Sequence, residues 1–156
     1  MALNLLVVGT RMPAWVQAGV DEYSKRMPPE LAFDWREIKV ETRGRNLSVE
    51  QCLSREATRL QAALPKRGHT ILLDEHGKSC TTAKLATHLA RWQGLGEPIS
   101  LIVGGPDGVH DDIKKAANET LRLSDLTLPH PVVRIVLAEQ LYRAWTILTG
   151  HPYHRA

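Results

Sequence analysis

Cysteine is scarce. The 156 residues hold two, Cys52 and Cys80, which stand apart and fit neither a disulfide framework nor a paired metal-ligand spacing. Both read as buried or idle thiols. No stretch approaches the roughly 18 to 20 uninterrupted apolar residues of a membrane span, and the opening Met1-Ala2-Leu3-Asn4-Leu5-Leu6 carries no basic leader before its apolar run. A cytosolic protein is expected on both counts. Runs of about five or more like charges are also missing, which leaves a solvated surface as the plain reading of the charged residues. With no internal repeat, linker or low-complexity segment, residues 1–156 are expected to form one domain, about the size a single core supports.

What is present is mildly basic: a formal charge of +3 and a pI near 9.0. That balance permits a nucleic-acid partner without requiring one. Arg36, Lys39, Arg43 and Arg45 crowd one short stretch with Glu37 and Glu41 between them, and Lys66-Arg67 follows the next predicted helix.

The pattern alternates strand and helix. Leu3 to Val8 is an apolar run ending at Gly9, and Ala14 to Met27 places Trp15, Val16, Gly19, Val20 and Tyr23 at helical spacing. From Leu31 to Val40 apolar and polar residues alternate, as in a half-buried strand. Ser48, with Gln51 three residues on, forms a capping box for a helix to about Leu64. A second cycle predicts a strand Thr70 to Leu73, a turn Asp74 to Lys78 and a helix from about Thr82 to Gln93. The third is Ile99 to Val103, a glycine turn, and a polar helix through Lys114 to Glu119. The fourth is Leu121 to Ser124, an irregular turn to Pro131, and a long helix from Val132 to about Thr149. This order indicates an α/β fold with a mostly parallel sheet and helices on both faces.

In such a sheet, ligands bind beyond the carboxyl ends of the strands. Three turns qualify, after Leu73, Val103 and Ser124. In the middle one, Gly104-Gly105-Pro106-Asp107-Gly108, glycines remove side chains so that backbone N–H groups can approach a ligand, and a plain tight turn is the alternative. Phosphate motifs do not fit: the string is not G-x-G-x-x-G, and the first glycine a P-loop would need before Gly77-Lys78-Ser79 falls at Leu72. The turn Ser124 to Pro131 carries apolar residues and two prolines where a connector is normally short and polar, so it can wall a mostly apolar pocket or pack under the next helix. That last helix is apolar around most of its circumference, which makes it central or shared with a partner chain. Arg134, Glu139, Gln140 and Arg143 are its polar exceptions. A metal site from His151, His154 and His130 lacks any recognised ligand spacing, and no metal is expected.

The chain resembles the RlmH family of SPOUT-class methyltransferases, which act on a large-subunit ribosomal RNA pseudouridine. The likeness runs from Val8-Gly9-Thr10 with Met12-Pro13 and Trp15-Val16, through Arg43-Gly44-Arg45-Asn46 and the glycine turn, to Ser124–Pro131, Glu139-Gln140-Leu141-Tyr142-Arg143-Ala144-Trp145 and the terminal His151-Pro152-Tyr153-His154-Arg155. It implies a C-terminal trefoil knot binding S-adenosylmethionine, two chains paired as a homodimer through it, and a pseudouridine of helix 69 in 23S rRNA as substrate within the assembled ribosome. The implied cofactor contacts are Leu73, Gly104, Leu123, Ser124, Asp125, Leu126, Thr127 and Leu128, to which the turn itself adds Gly105 and Gly108.

Methylation at N3 requires the ring nitrogen to lose its proton. A guanidinium about 4 Å away favours that anion by roughly 4 kcal/mol at an effective dielectric near 20. Arg155 and Arg143 are the candidate cations, His154 or His130 the candidate base, and Tyr153 can stack on or orient the ring. Two other readings stand beside this one: a methyltransferase of the same class acting on tRNA, and a noncatalytic ribosome-binding factor.

Overall fold

A computed structural model describes residues 1–44 and 46–154, His154 by its backbone alone. Its strands are β1 (Leu3–Val8), β2 (Phe33–Ile38), β3 (His69–Ser79), β4 (Ile99–Val103) and β5 (Glu119–Arg122). Its helices are α1 (Ala14–Ser24), α2 (Val49–Ala63), α3 (Thr82–Gln93), α4 (Asp111–Ala116) and α5 (His130–Thr149). The strands lie in the order β2-β1-β4-β3-β5, and every pairing is parallel. The expected parallel α/β architecture is the one observed.

Alternation along β1 divides the core between the two faces. Leu3, Leu5 and Val7 join Leu85, Leu89 and Trp92 of α3 and Leu137, Leu141 and Ala144 of α5. Leu6 and Val8 point the other way, onto Ala57 and Leu60 of α2 and Ile113 of α4. Each such buried side chain stabilises the fold by roughly 1.5–3 kcal/mol. α5 packs against both α1 and α3, which accounts for much of its all-round apolar character: Leu137, Ala138, Leu141, Tyr142 and Ala144 are buried, while Leu148 at its end is exposed.

Four boundaries differ from the sequence reading. β2 is shorter at both ends, because Pro29–Leu31 forms a 3-10 turn that ends at Ala32 with φ +41. The predicted turn Asp74 to Lys78 lies inside β3, where Leu73 and Lys78 both pair with Leu121 and the intervening residues bulge out. Gly77 permits this, since a Cβ there would meet the Leu121 backbone at 2.6 Å. α4 stops at Ala116, and Glu119, expected to end a helix, opens β5 because its carboxylate is wanted at the sheet end by Arg91, Trp92 and His69. α5 begins at His130 instead of Val132, as Pro131 has no N–H to waste in a first turn.

Candidate functional site

Beyond the carboxyl-terminal part of β3 and β5 lies a cavity of about 260 Å³. Leu73, Leu121, Leu123 and Leu128 give it an apolar wall, α5 closes it with Val136, Leu137 and Gln140, and Ser124, Thr82 and Arg122 add polar atoms. Of the expected cofactor residues, the structure thus brings Leu73, Leu123, Ser124 and Leu128 to one place. Asp125, Leu126 and Thr127 form the exposed tip of the same loop, with Leu126 75% exposed. That loop is held by Ser124, whose Oγ accepts from the Leu126 N–H at 2.9 Å, and by an Arg122–Asp125 pair at 2.7 Å. The Arg122 Nε is buried with no hydrogen-bond partner.

The glycine turn follows the central strand β4 at the same carboxyl end of the sheet, on its α2 side. Gly108 donates its N–H to the Gly105 carbonyl at 3.0 Å and takes φ +78, a left-handed value that favours glycine. A Cβ on Gly104 would stand 2.9 Å from the Gly108 carbonyl group, and one on Gly105 would stand 3.1 Å from Val8 Cγ1. The close approach that requires Gly104 is therefore to the chain's own backbone. None of the three glycines lines the 260 Å³ cavity.

Sequence reasoning missed Thr82, Arg122 and Cys80 as cavity residues. Gln140 had left a signal as a polar group in an apolar helix. Thr82 donates its hydroxyl to Gln140 Oε1 at 2.7 Å, and Gln140 Nε2 donates to Glu139 Oε1 at 3.2 Å. Glu139 in turn accepts from Arg143 Nε at 2.7 Å, and the Arg143 guanidinium lies 4.9 Å from the centre of the Tyr153 ring. A polar chain thus runs from the cavity to the C-terminal tail. Cys80 is no nucleophile in waiting, because burial pushes its thiol up against the weaker pull of Lys84.

The tail folds back on α5. Tyr153 meets Tyr142 edge to face at 4.8 Å, and with Arg26, His151 and Pro152 they surround an open hollow of about 490 Å³. Burial, and then the Glu139 carboxylate, raise the Tyr153 phenol above its ordinary value, so it stays protonated at neutral pH and can donate a hydrogen bond. The Glu139 hydrogen bond keeps Arg143 firmly cationic. Arg155 lies outside the described residues, as does the side chain of His154.

His130 is elsewhere. It opens α5, and the tail follows the helix's last turn about 30 Å away at 1.5 Å per residue over 20 residues. Within one chain, the two histidines proposed as alternatives for the base do not share a site. Burial, then the positive charge of Arg134, holds His130 below the usual imidazole value despite the Val8 backbone. Its Nε2 stands 3.3 Å from Arg134 Nη2. That guanidinium, itself buried, also donates to the Gly9 carbonyl and to Glu37, each at 2.8 Å. Here His130 belongs to a cluster that ties α5 to the end of β1. Among the described residues no group of three or more His, Cys, Asp or Glu is arranged to hold a metal ion, and no helix is long and apolar enough to cross a membrane.

This fold places the chain in a class of parallel α/β proteins that includes solved methylases. It superposes on a probable methylase family protein from Haemophilus influenzae Rd KW20 (TM-score 0.59, 9% identity, 97% of this chain and 69% of that one). It also superposes on the tRNA (m1G37) methyltransferase of Aquifex aeolicus (TM-score 0.53, 14% identity, 92% and 70%). The particular family follows from sequence: residues 1–154 match the family described as predicted SPOUT methyltransferase, and the chain belongs to it. Proteins named "Ribosomal RNA large subunit methyltransferase H" are similar end to end. That of Paraburkholderia xenovorans strain LB400 is 51% identical over 155 residues (99% of each chain). That of Bordetella petrii is 50% identical over 156 residues (100% of each).

Proposed function

We propose that the protein is an S-adenosylmethionine-dependent methyltransferase of large-subunit ribosomal RNA, modifying N3 of a pseudouridine in helix 69 of 23S rRNA on the assembled 70S ribosome. The observation that carries this reading is identity near 50% over the whole chain with proteins named for ribosomal RNA large-subunit methylation. The same reading includes a C-terminal trefoil knot, a homodimer, and a cytoplasmic location with no resident metal.

The residues present suit the cofactor. Leu73, Leu123 and Leu128 offer an apolar slot for an adenine, while Ser124 and Thr82 offer polar atoms to its sugar and amino-acid ends. Gly104, Gly105 and Gly108, with the loop tip Asp125, Leu126 and Thr127, lie at the same carboxyl end of the sheet. Bound there, the cofactor supplies an electrophilic methyl on a sulfonium. The chain's task is to favour the N3 anion that attacks it. Arg143, kept cationic by Glu139, and Arg155 provide positive charge. Tyr153 supplies a ring face and a phenolic donor. His154 takes the N3 proton, since His130 is engaged with Arg134 at the far end of α5.

Mass spectrometry of helix 69 from ribosomes incubated with protein and S-adenosylmethionine tests this, with free rRNA and tRNA as parallel substrates. A single added methyl on the pseudouridine of ribosomes is expected. Methylation of tRNA alone would move the substrate to another RNA, and a chain that binds ribosomes but no cofactor would be a noncatalytic factor.

A further inference from the structure

The glycine turn poses a question of order. Three of the turn's five residues are glycines, each of which costs roughly 0.5–1 kcal/mol more to fix than alanine. Something outside the turn must hold it if its backbone is to receive a ligand without first being ordered.

Arg43 does so. Its Nε and Nη2 donate to Asp107 Oδ2, in the middle of the turn, at 3.1 and 3.0 Å. Its Nη1 donates to Glu56 Oε2 at 2.5 Å and to the Glu41 carbonyl at 2.8 Å. Glu56 is a fixed anchor: it projects from α2, is 2% exposed, and also accepts from the Glu41 N–H at 2.8 Å. Its other oxygen, Oε1, is buried with no partner and lies 4.0 Å from where a Gly105 Cβ would be. One guanidinium thus joins a buried carboxylate under the turn to a half-exposed carboxylate within it. A planar fork makes this kind of two-sided contact, and an ammonium does not.

We propose that Arg43 is a positioning residue for the cofactor site: anchored on Glu56, it holds Asp107 and so fixes the glycine turn in the form that receives the cofactor. Arg43 also belongs to the basic stretch between β2 and α2. Whatever engages that stretch is thereby coupled to the turn, 64 residues away in sequence. The inference rests on the cofactor reading above.

The test uses the full-length protein and S-adenosylmethionine in a calorimeter. Arg43→Ala is avoided, since stripping a buried carboxylate of its cation can unfold the chain. Asp107→Asn, Arg43→Lys and the double variant are compared with wild type for dissociation constant and thermal midpoint. Asp107→Asn should bind about 3- to 5-fold more weakly, as loss of a partly exposed ion pair allows, with an unchanged midpoint. Arg43→Lys should lose a similar factor, and the double variant no more than the weaker single. Unchanged affinity in Asp107→Asn, or losses that multiply in the double variant, would overturn the proposal and leave the cofactor reading intact. A wild-type chain that binds no S-adenosylmethionine would bring down both.

Discussion

Glu119 offers a quantitative test of how the two ends of the sheet divide their work. It opens β5 at the amino end of the sheet, opposite the cavity, and accepts hydrogen bonds from Arg91 Nη2 at 2.5 Å and Trp92 Nε1 at 2.9 Å, with the His69 ring also in contact. Burial pushes its carboxyl up, but Arg91, His69 and Trp92 together outweigh that and bring it from 4.5 to about 2. A folded-state value below the unfolded one stabilises the protein above the unfolded value, and that stability is lost as pH falls. The window is therefore from about 4.5 down to about 2. At ~1.36 kcal/mol per unit the gap has a ceiling of about 3.4 kcal/mol, and solvent screening at a rim position reduces it to about 1–2 kcal/mol. Urea denaturation of wild type and Glu119→Gln should differ by that amount at pH 7, with the difference shrinking as pH drops below about 4.5. Affinity for S-adenosylmethionine at pH 7 should not change, because the cavity is at the other sheet end. A difference that is constant with pH would refute the electrostatic account, and a cofactor defect in Glu119→Gln would refute the separation of the two ends.

Other expectations are as direct. Gly104→Ala places a methyl 2.9 Å from the Gly108 carbonyl, and overpacking of about 1–3 kcal/mol, if it falls on the bound form, should weaken S-adenosylmethionine binding about 5- to 150-fold by calorimetry. Gln140→Leu removes both the Thr82 and Glu139 hydrogen bonds and should cost about 1–3 kcal/mol of stability through the groups left unpaired, read as a lowered thermal midpoint. Deleting residues 151–156 removes Tyr153 and its contacts with Tyr142 and Arg143. Ribosome methylation should vanish while cofactor binding persists. His130→Gln should leave methylation within a few-fold of wild type after correction for stability, whereas a collapse in turnover at an unchanged melting temperature would return His130 to the catalytic group.

The strand and helix order was legible because parallel strands buried on both faces read as near-continuous apolar runs, as in Ile99-Ser100-Leu101-Ile102-Val103, broken only by the buried Ser100. The Ser48–Gln51 capping box is present in both directions, at 3.1 and 2.9 Å. What escaped was set by distant contacts. Glu119 looks helical beside Lys114 and Lys115, and becomes a strand residue only because Arg91 and Trp92, some 28 residues earlier, present donors to it. The Asp74–Lys78 stretch has turn chemistry and does leave the ladder, but Lys78 and Ser79 rejoin it against Leu121 and Arg122. The turns after Leu73 and Ser124 could be grouped because carboxyl ends of parallel strands converge, and only through the family resemblance could Leu73, Leu123, Ser124 and Leu128 be named individually. Thr82 could not, because nothing local marks a threonine whose partner is Gln140 on another helix.

The same limit explains the treatment of the histidines. In the sequence, His130 and His154 are equivalent: each is an imidazole beside a proline-containing turn at one end of an apolar helix. Geometry separates them, since a buried Arg134 with three partners claims His130, and the helix holds the two ends about 30 Å apart. Arg143 lies between, one turn beyond Gln140, tied through Glu139 to the cavity and through its guanidinium face to Tyr153. On the proposed reading, a substrate anion held at the tail would contact a hydrogen-bonded path to the cavity, whereas one held near His130 would meet a guanidinium already bound to Glu37 and the Gly9 carbonyl, with its Nε sealed in the interior. Both guanidiniums are paired with a carboxylate, but the Arg143 side chain is 26% exposed and can face a reacting ring on that reading, whereas Arg134, 4% exposed, is buried where it holds the helix to β1.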